Sequence, residues 1–84
     1  MTAIEKLKTI LREKDIPFFT DDEFEFYLNE NNGDFNATAY QMLIIKSEDT
    51  SLVLSGLTTA DTSKYFKRLA SRYRPHHSGI LSGG

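Results

Sequence analysis

A threonine followed three residues later by a glutamate occurs twice near the start of this chain, at Thr2-Ala3-Ile4-Glu5 and at Thr20-Asp21-Asp22-Glu23. At that spacing the hydroxyl and the carboxylate each satisfy an otherwise unpaired backbone N–H, so the pattern marks the first turn of a helix. The second box places three carboxylates where the helix dipole favours negative charge, and it is the strongest local signal in the sequence. Behind the first box, Ile4, Leu7, Ile10 and Leu11 recur at three- and four-residue spacing, with Lys6, Lys8, Arg12 and Glu13 on the other face. Ile16-Pro17 is predicted to end this helix, because a residue before proline is pushed out of the helical region. Behind the second box, Phe24, Tyr27 and Leu28 form the stripe to be buried, and Asn31-Asn32-Gly33 supplies a left-handed stop. Phe26 falls on the opposite side, among acids, as an exposed aromatic anchor or a partly buried rim residue.

Asp34 is predicted to cap a third helix from about Phe35, whose Ala37, Ala39, Tyr40, Met42, Leu43, Ile44 and Ile45 are apolar almost all round. Such a helix belongs at the centre of a bundle. The polar stretch from Lys46 to Ser51 should fray or end it. Leu52-Val53-Leu54 reads as a short extended segment whose apolar side chains need cover. Asp61 is the expected cap of a fourth helix with Tyr65, Phe66, Leu69, Ala70 and Tyr73 inward and Lys64, Lys67, Arg68 and Arg72 outward. Arg74-Pro75 ends it. The expected fold is therefore all-α: a small bundle of about four helices in a single domain over 1–75, with a flexible tail over 76–84.

At 84 residues the chain is too short for two cores, and with no cysteine it has no disulfide, no thiol nucleophile and no Cys-containing zinc site. Its apolar runs fall far short of the ~20 residues that cross a bilayer, and Glu5, Lys6 and Lys8 stand where a signal peptide needs an apolar core. A soluble intracellular chain is expected. The net charge of −2 conceals a segregation, for residues 1–14, 15–34, 35–61 and 62–84 carry +2, −7, −2 and +5. From Asp15 to Asp34 there is no base, and from Thr62 onward no acid. These segments are suited to attract one another, within one molecule or between molecules.

Motifs for chemistry are weak. A calcium loop around Gly33 needs an oxygen ligand five residues before the glycine and a glutamate six after it, where Leu28 and Ala39 stand. His76 and His77 lie in the expected tail without neighbouring ligands, and the acids crowd one solvated segment rather than forming a desolvated acid–base pair. No enzyme activity, cofactor or metal is expected. Asn36-Ala37-Thr38 matches a glycosylation sequon, idle in a chain that is not exported. The terminal Leu81-Ser82-Gly83-Gly84 lacks the strand-rich context of ubiquitin-like carriers and the phosphate-binding loop of transport ATPases. Lys and Arg of the fourth helix, with Tyr65 and Tyr73 interleaved, suit nucleic acid, but the tyrosines sit on the apolar stripe, and a surface for acidic protein fits at least as well.

Two stretches carry a likeness: Phe19-Thr20-Asp21-Asp22-Glu23-Phe24 through Leu28-Asn29-Glu30-Asn31-Asn32-Gly33-Asp34, and Ser55-Gly56-Leu57-Thr58-Thr59-Ala60-Asp61-Thr62-Ser63 leading to Tyr65-Phe66, Arg68-Leu69-Ala70 and Tyr73-Arg74-Pro75. Together they resemble the small helical head–tail connector proteins of tailed bacteriophages and prophages of Gram-positive bacteria. The resemblance implies a structural subunit of a ring between portal and tail, made in the bacterial host cytoplasm and ending in the virion neck, with portal and neck or tail proteins and copies of itself as partners. Rings are built from heterologous contacts, and the expected interface residues are Asp21, Asp22, Glu25 and Phe26 of the acidic segment, Leu52 and Leu54, and Lys64, Lys67, Arg68, Arg72 and Arg74 of the basic one. Leu28 to Leu43 is also similar to ubiquitin-associated three-helix modules, which implies a protein-binding module instead.

Overall fold

Each helix begins where a side-chain oxygen takes up a first-turn amide. The computed structural model describes residues 2–49 and 51–74, and the expectations on His76, His77 and the 76–84 tail lie outside the described residues. Helix α1 (Ala3–Ile10) and helix α2 (Asp21–Glu30) open on the two capping boxes, with Thr2 and Thr20 accepting from the amides of Glu5 and Glu23 and both glutamates reaching back. Asp34 Oδ1 accepts from the Ala37 amide at 3.0 Å and starts α3 (Phe35–Ser47). Helix α4 (Thr59–Ala70), continued by a 3-10 turn over Ser71–Tyr73, begins earlier than expected. Its cap is Thr58, whose Oγ1 accepts from the Asp61 amide at 3.0 Å. Asp61 sits one turn inside, because Gly56 at φ +85° turns the chain early enough to bring Thr58 into the capping position.

The fold is all-α, a small four-helix bundle built around α3. That helix packs on α1, α2 and α4, most extensively on α4, whereas α2 and α4 do not meet. The core joins Leu7, Leu11 and Ile16 to Phe24, to Ala39, Met42 and Leu43 of α3, to Leu54, and to Phe66 and Ala70 of α4. The 52–54 segment belongs to no helix or strand, and the Leu54 amide donates to Thr62 Oγ1 at 2.9 Å. Leu54 is only 5% exposed, so its cover comes from its own chain, whereas Leu52 packs against the core and stays half-buried.

Two departures from the sequence expectation have one cause. Helix α1 stops at Ile10 instead of running to Ile16, and Lys46, expected in a polar fraying end, is fully buried. Its Nζ donates to the carbonyls of Leu11 and Ile16 and to Glu13 Oε2, each at 2.6 Å, and lies 5.2 Å from the centroid of the Phe66 ring. Three ammonium protons thus meet three acceptors. For these acceptors to converge the helix must end and turn back. It does so through Arg12 at φ +57°, with Glu13 N–H donating to Lys8 O and Arg12 N–H to Thr9 O, the hydrogen-bond pattern that glycine usually serves. Glu13 Oε1 then accepts from the amides of Phe18 and Phe19, which sets the entry to α2.

Removing one partner of a buried pair strands the other. Lys46→Met is expected to cost about 3–5 kcal/mol, much of the ~4–12 kcal/mol available to a chain of this size. Glu13→Gln added to it should recover part, since the amide oxygen still accepts from Phe18 and Phe19. Urea unfolding followed by circular dichroism reads both. Burial pushes the Lys46 ammonium below the ordinary lysine value, with Glu13 opposing the shift. The unfolded chain therefore holds this proton at a pH where the folded chain has released it. Stability should rise with pH between the lowered value and ~10.4, relative to the Glu13→Gln/Lys46→Met variant. At α4, Thr58→Ala should cost about 1 kcal/mol, and Asp61→Ala distinctly less, because Asp61 contributes only through the helix dipole.

Candidate protein-interaction surface

The charge segregation of the sequence becomes a spatial one. In α2, Phe24 points into the core at 1% exposure with Tyr27 and Leu28 half-buried beside it. The opposite face is left to Asp22, Glu25, Phe26 and Glu30, all exposed. Phe26, at 56% exposure, is the most exposed large apolar side chain among the described residues, with its ring edge-on to Tyr27 at 5.2 Å. In α4, Thr62, Phe66 and Ala70 turn inward, and Lys64, Lys67 and Arg68 are exposed on the remaining surface, as are Arg72 in the 3-10 turn and Arg74 just after it.

Among the described residues three ion pairs form: Lys8 with Asp21, Arg12 with Asp15, and Lys46 with Glu13. None joins α2 to α4. Asp21, expected at an interface, is engaged by Lys8 of its own chain at 2.5 Å, whereas Asp22, Glu25 and the α4 bases have no ion-pair partner among the described residues. Attraction between the acidic and basic segments is thus not used inside the described fold. Glu30 belongs to the same exposed face, and helical spacing from Asp22 and Phe26 was the signal that would have included it.

The aromatic residues of α4 serve packing. Tyr73 meets Phe35 edge-on at 6.4 Å, and Tyr65 lies against Phe66 at 5.3 Å with the Arg12 guanidinium 6.0 Å over its ring. Asp15, and secondarily Tyr65, hold that guanidinium more firmly protonated than usual. A shallow cleft on the outer side of α4 is lined by Tyr65, Arg68, Leu69 and Arg72. No group of three potential metal-binding His, Asp or Glu side chains occurs among the described residues. The segment after Asn29 is a helix-to-helix turn with Asn32 at φ +55° and Gly33 at φ +80°. No described helix is long and apolar enough to cross a membrane.

The second family-like stretch has local folding roles. Gly56 turns the chain, Thr58 caps α4, Thr62 Oγ1 accepts from Leu54 and donates to Thr58 O, and Ser63 Oγ donates to Ser47 O at 2.7 Å. No protein-family model matches the chain, and no curated protein or solved structure is detectably similar to it.

The two faces of α2 should separate cleanly by substitution. Phe24→Ala is expected to destabilise the isolated chain by about 3–5 kcal/mol. Phe26→Ala should stay within about 0.5 kcal/mol of the parent. Chemical denaturation of the two variants side by side checks this.

Proposed function

We propose that the chain is a structural subunit that acts by assembly, as part of the head–tail connector in the neck of a tailed phage or prophage. The observation that carries the reading is the pair of oppositely charged faces on α2 and α4, kept apart by α3 and unpaired with each other among the described residues. A subunit of a ring needs two different outward faces that suit one another or a neighbour. The two family-like stretches add the neck as the place of assembly. On this reading the partners are the portal above, neck or tail proteins below and further copies of the chain, met first in the host cytoplasm and then in the virion.

The competing three-helix binding module has less support. Helix α4 contributes Phe66 and Ala70 to the core and makes the most extensive packing on α3, so a module ending near Ser47 would leave that side of α3 open to water. Nucleic acid fits the bases of α4 alone, while the acids of α2 would repel it.

Sedimentation of the chain with phage portal and neck proteins is the direct test. Co-sedimentation that weakens with rising salt is expected. A chain that binds neither portal nor any neighbouring neck protein overturns the reading.

A further inference from the structure

The outward faces of α2 and α4 carry the same spacing. On α2 the exposed residues Asp22, Glu25, Phe26, Asn29 and Glu30 stand at i, i+3, i+4, i+7 and i+8. Forty-two positions later, Lys64, Lys67, Arg68, Ser71 and Arg72 repeat those offsets on α4 and the 3-10 turn that continues it, and all are exposed. Acid matches base at the first, second and fifth positions. At the third an aromatic ring matches a guanidinium, and at the fourth an amide matches a hydroxyl.

We propose that the α2 stripe of one copy docks in parallel register on the α4 stripe of a second copy. Asp22 then pairs with Lys64, Glu25 with Lys67 and Glu30 with Arg72, while the Phe26 ring lies against Arg68. On α2 these offsets form one continuous ridge, ~12 Å from first to last at 1.5 Å per residue, and on α4 the ridge is α-helical from Lys64 to Arg68 and continues onto the tighter 3-10 turn at Ser71 and Arg72. A single exposed ion pair contributes little. Three in one register act together with a cation–π contact and with the covering of the most exposed phenylalanine. The cleft lined by Tyr65, Arg68, Leu69 and Arg72 sets two apolar side chains beside two arginines at this place on the stripe. The contact is closed to a single chain, because α2 and α4 do not meet within it. It is heterologous, so each copy offers one face of each kind and association runs head to tail. The inference rests on the assembly reading in needing both faces outward, and it adds the register in which two copies meet.

Sedimentation equilibrium of the purified chain at low salt tests it. Concentration-dependent association is expected, and ~1 M salt, where the Debye length is about 3 Å, should disperse it. Lys64→Ala/Lys67→Ala/Arg72→Ala and Asp22→Ala/Glu25→Ala/Glu30→Ala should each remain folded by circular dichroism and lose roughly tenfold to a hundredfold in association. Phe26→Ala should lose about two- to fivefold. Mixed in equal amounts, the two triple variants retain one intact face each and should form a one-to-one complex that grows no further. The register predicts that Glu25→Lys is compensated by Lys67→Glu and not by Arg72→Glu. A parent chain that stays monomeric at millimolar concentration and low salt overturns the proposal, as does a mixture of the triple variants that forms no complex. Saturable binding of the α4 face to a short DNA duplex, without self-association, overturns it in favour of a nucleic-acid surface. A chain that self-associates in this way but ignores portal and neck proteins leaves the contact standing and removes the neck assignment.

Discussion

The Lys46 ammonium is the point from which the rest of the arrangement follows. A charge taken out of water is expensive unless its protons are met by acceptors of good geometry. Here the acceptors come from the end of α1, from the turn after it and from Glu13. To deliver them, α1 gives up the helical path its apolar spacing favours and accepts a left-handed arginine at Arg12. Glu13 in turn holds the amides before α2 with its second oxygen. One buried side chain of α3 thereby ties together where α1 stops and how α2 enters, and it lies against the Phe66 ring of α4, whose own place is set by packing on α3.

Helix α3 also acts as a partition. It is covered on several sides, which leaves α2 and α4 on separate flanks with no contact between them. Had the strongly acidic and strongly basic helices met inside the subunit, their charges would have neutralised each other and left an indifferent surface. Kept apart, they give one small body two unlike faces. The interior pair of Lys46 and Glu13 is shielded from salt while the exterior stripes are open to screening, so ionic strength acts on the charged faces far more than on the fold.

What was legible in the sequence was local. The capping boxes, the Asp34 cap and the Asn32-Gly33 stop involve atoms three to six residues apart, and each appears as expected. Lys46 was not legible, since a lysine near a helix end ordinarily sits in water and its partners lie 30–35 residues upstream. The stop at Arg12 carries no glycine to announce it. Thr58 and Asp61 both offered capping oxygens, and the turn at Gly56, closed by the Leu57 amide on the Leu54 carbonyl, decided between them. At the surface, charge counting located both faces, but Glu30, Asn29 and Ser71 emerged only when the exposed positions were set in helical register. Leu54 looked like a residue in need of a neighbour because its cover, Thr62 and the core, is assembled from distant parts of the chain.

The reach from Lys46 back to Leu11 and Ile16 bears on the order in which the molecule matures. During synthesis the first helix emerges well before the residue that completes its end. Until Lys46 follows, the carbonyls of Leu11 and Ile16 and the Glu13 carboxylate face water, and α1 is a short helix with little reason to persist. Closing that loop requires α3 in place, because Lys46 is carried on it. Nascent chains that end short of α3 therefore lack the fold's principal fastening, and the amino-terminal third of the protein becomes native only when its middle arrives.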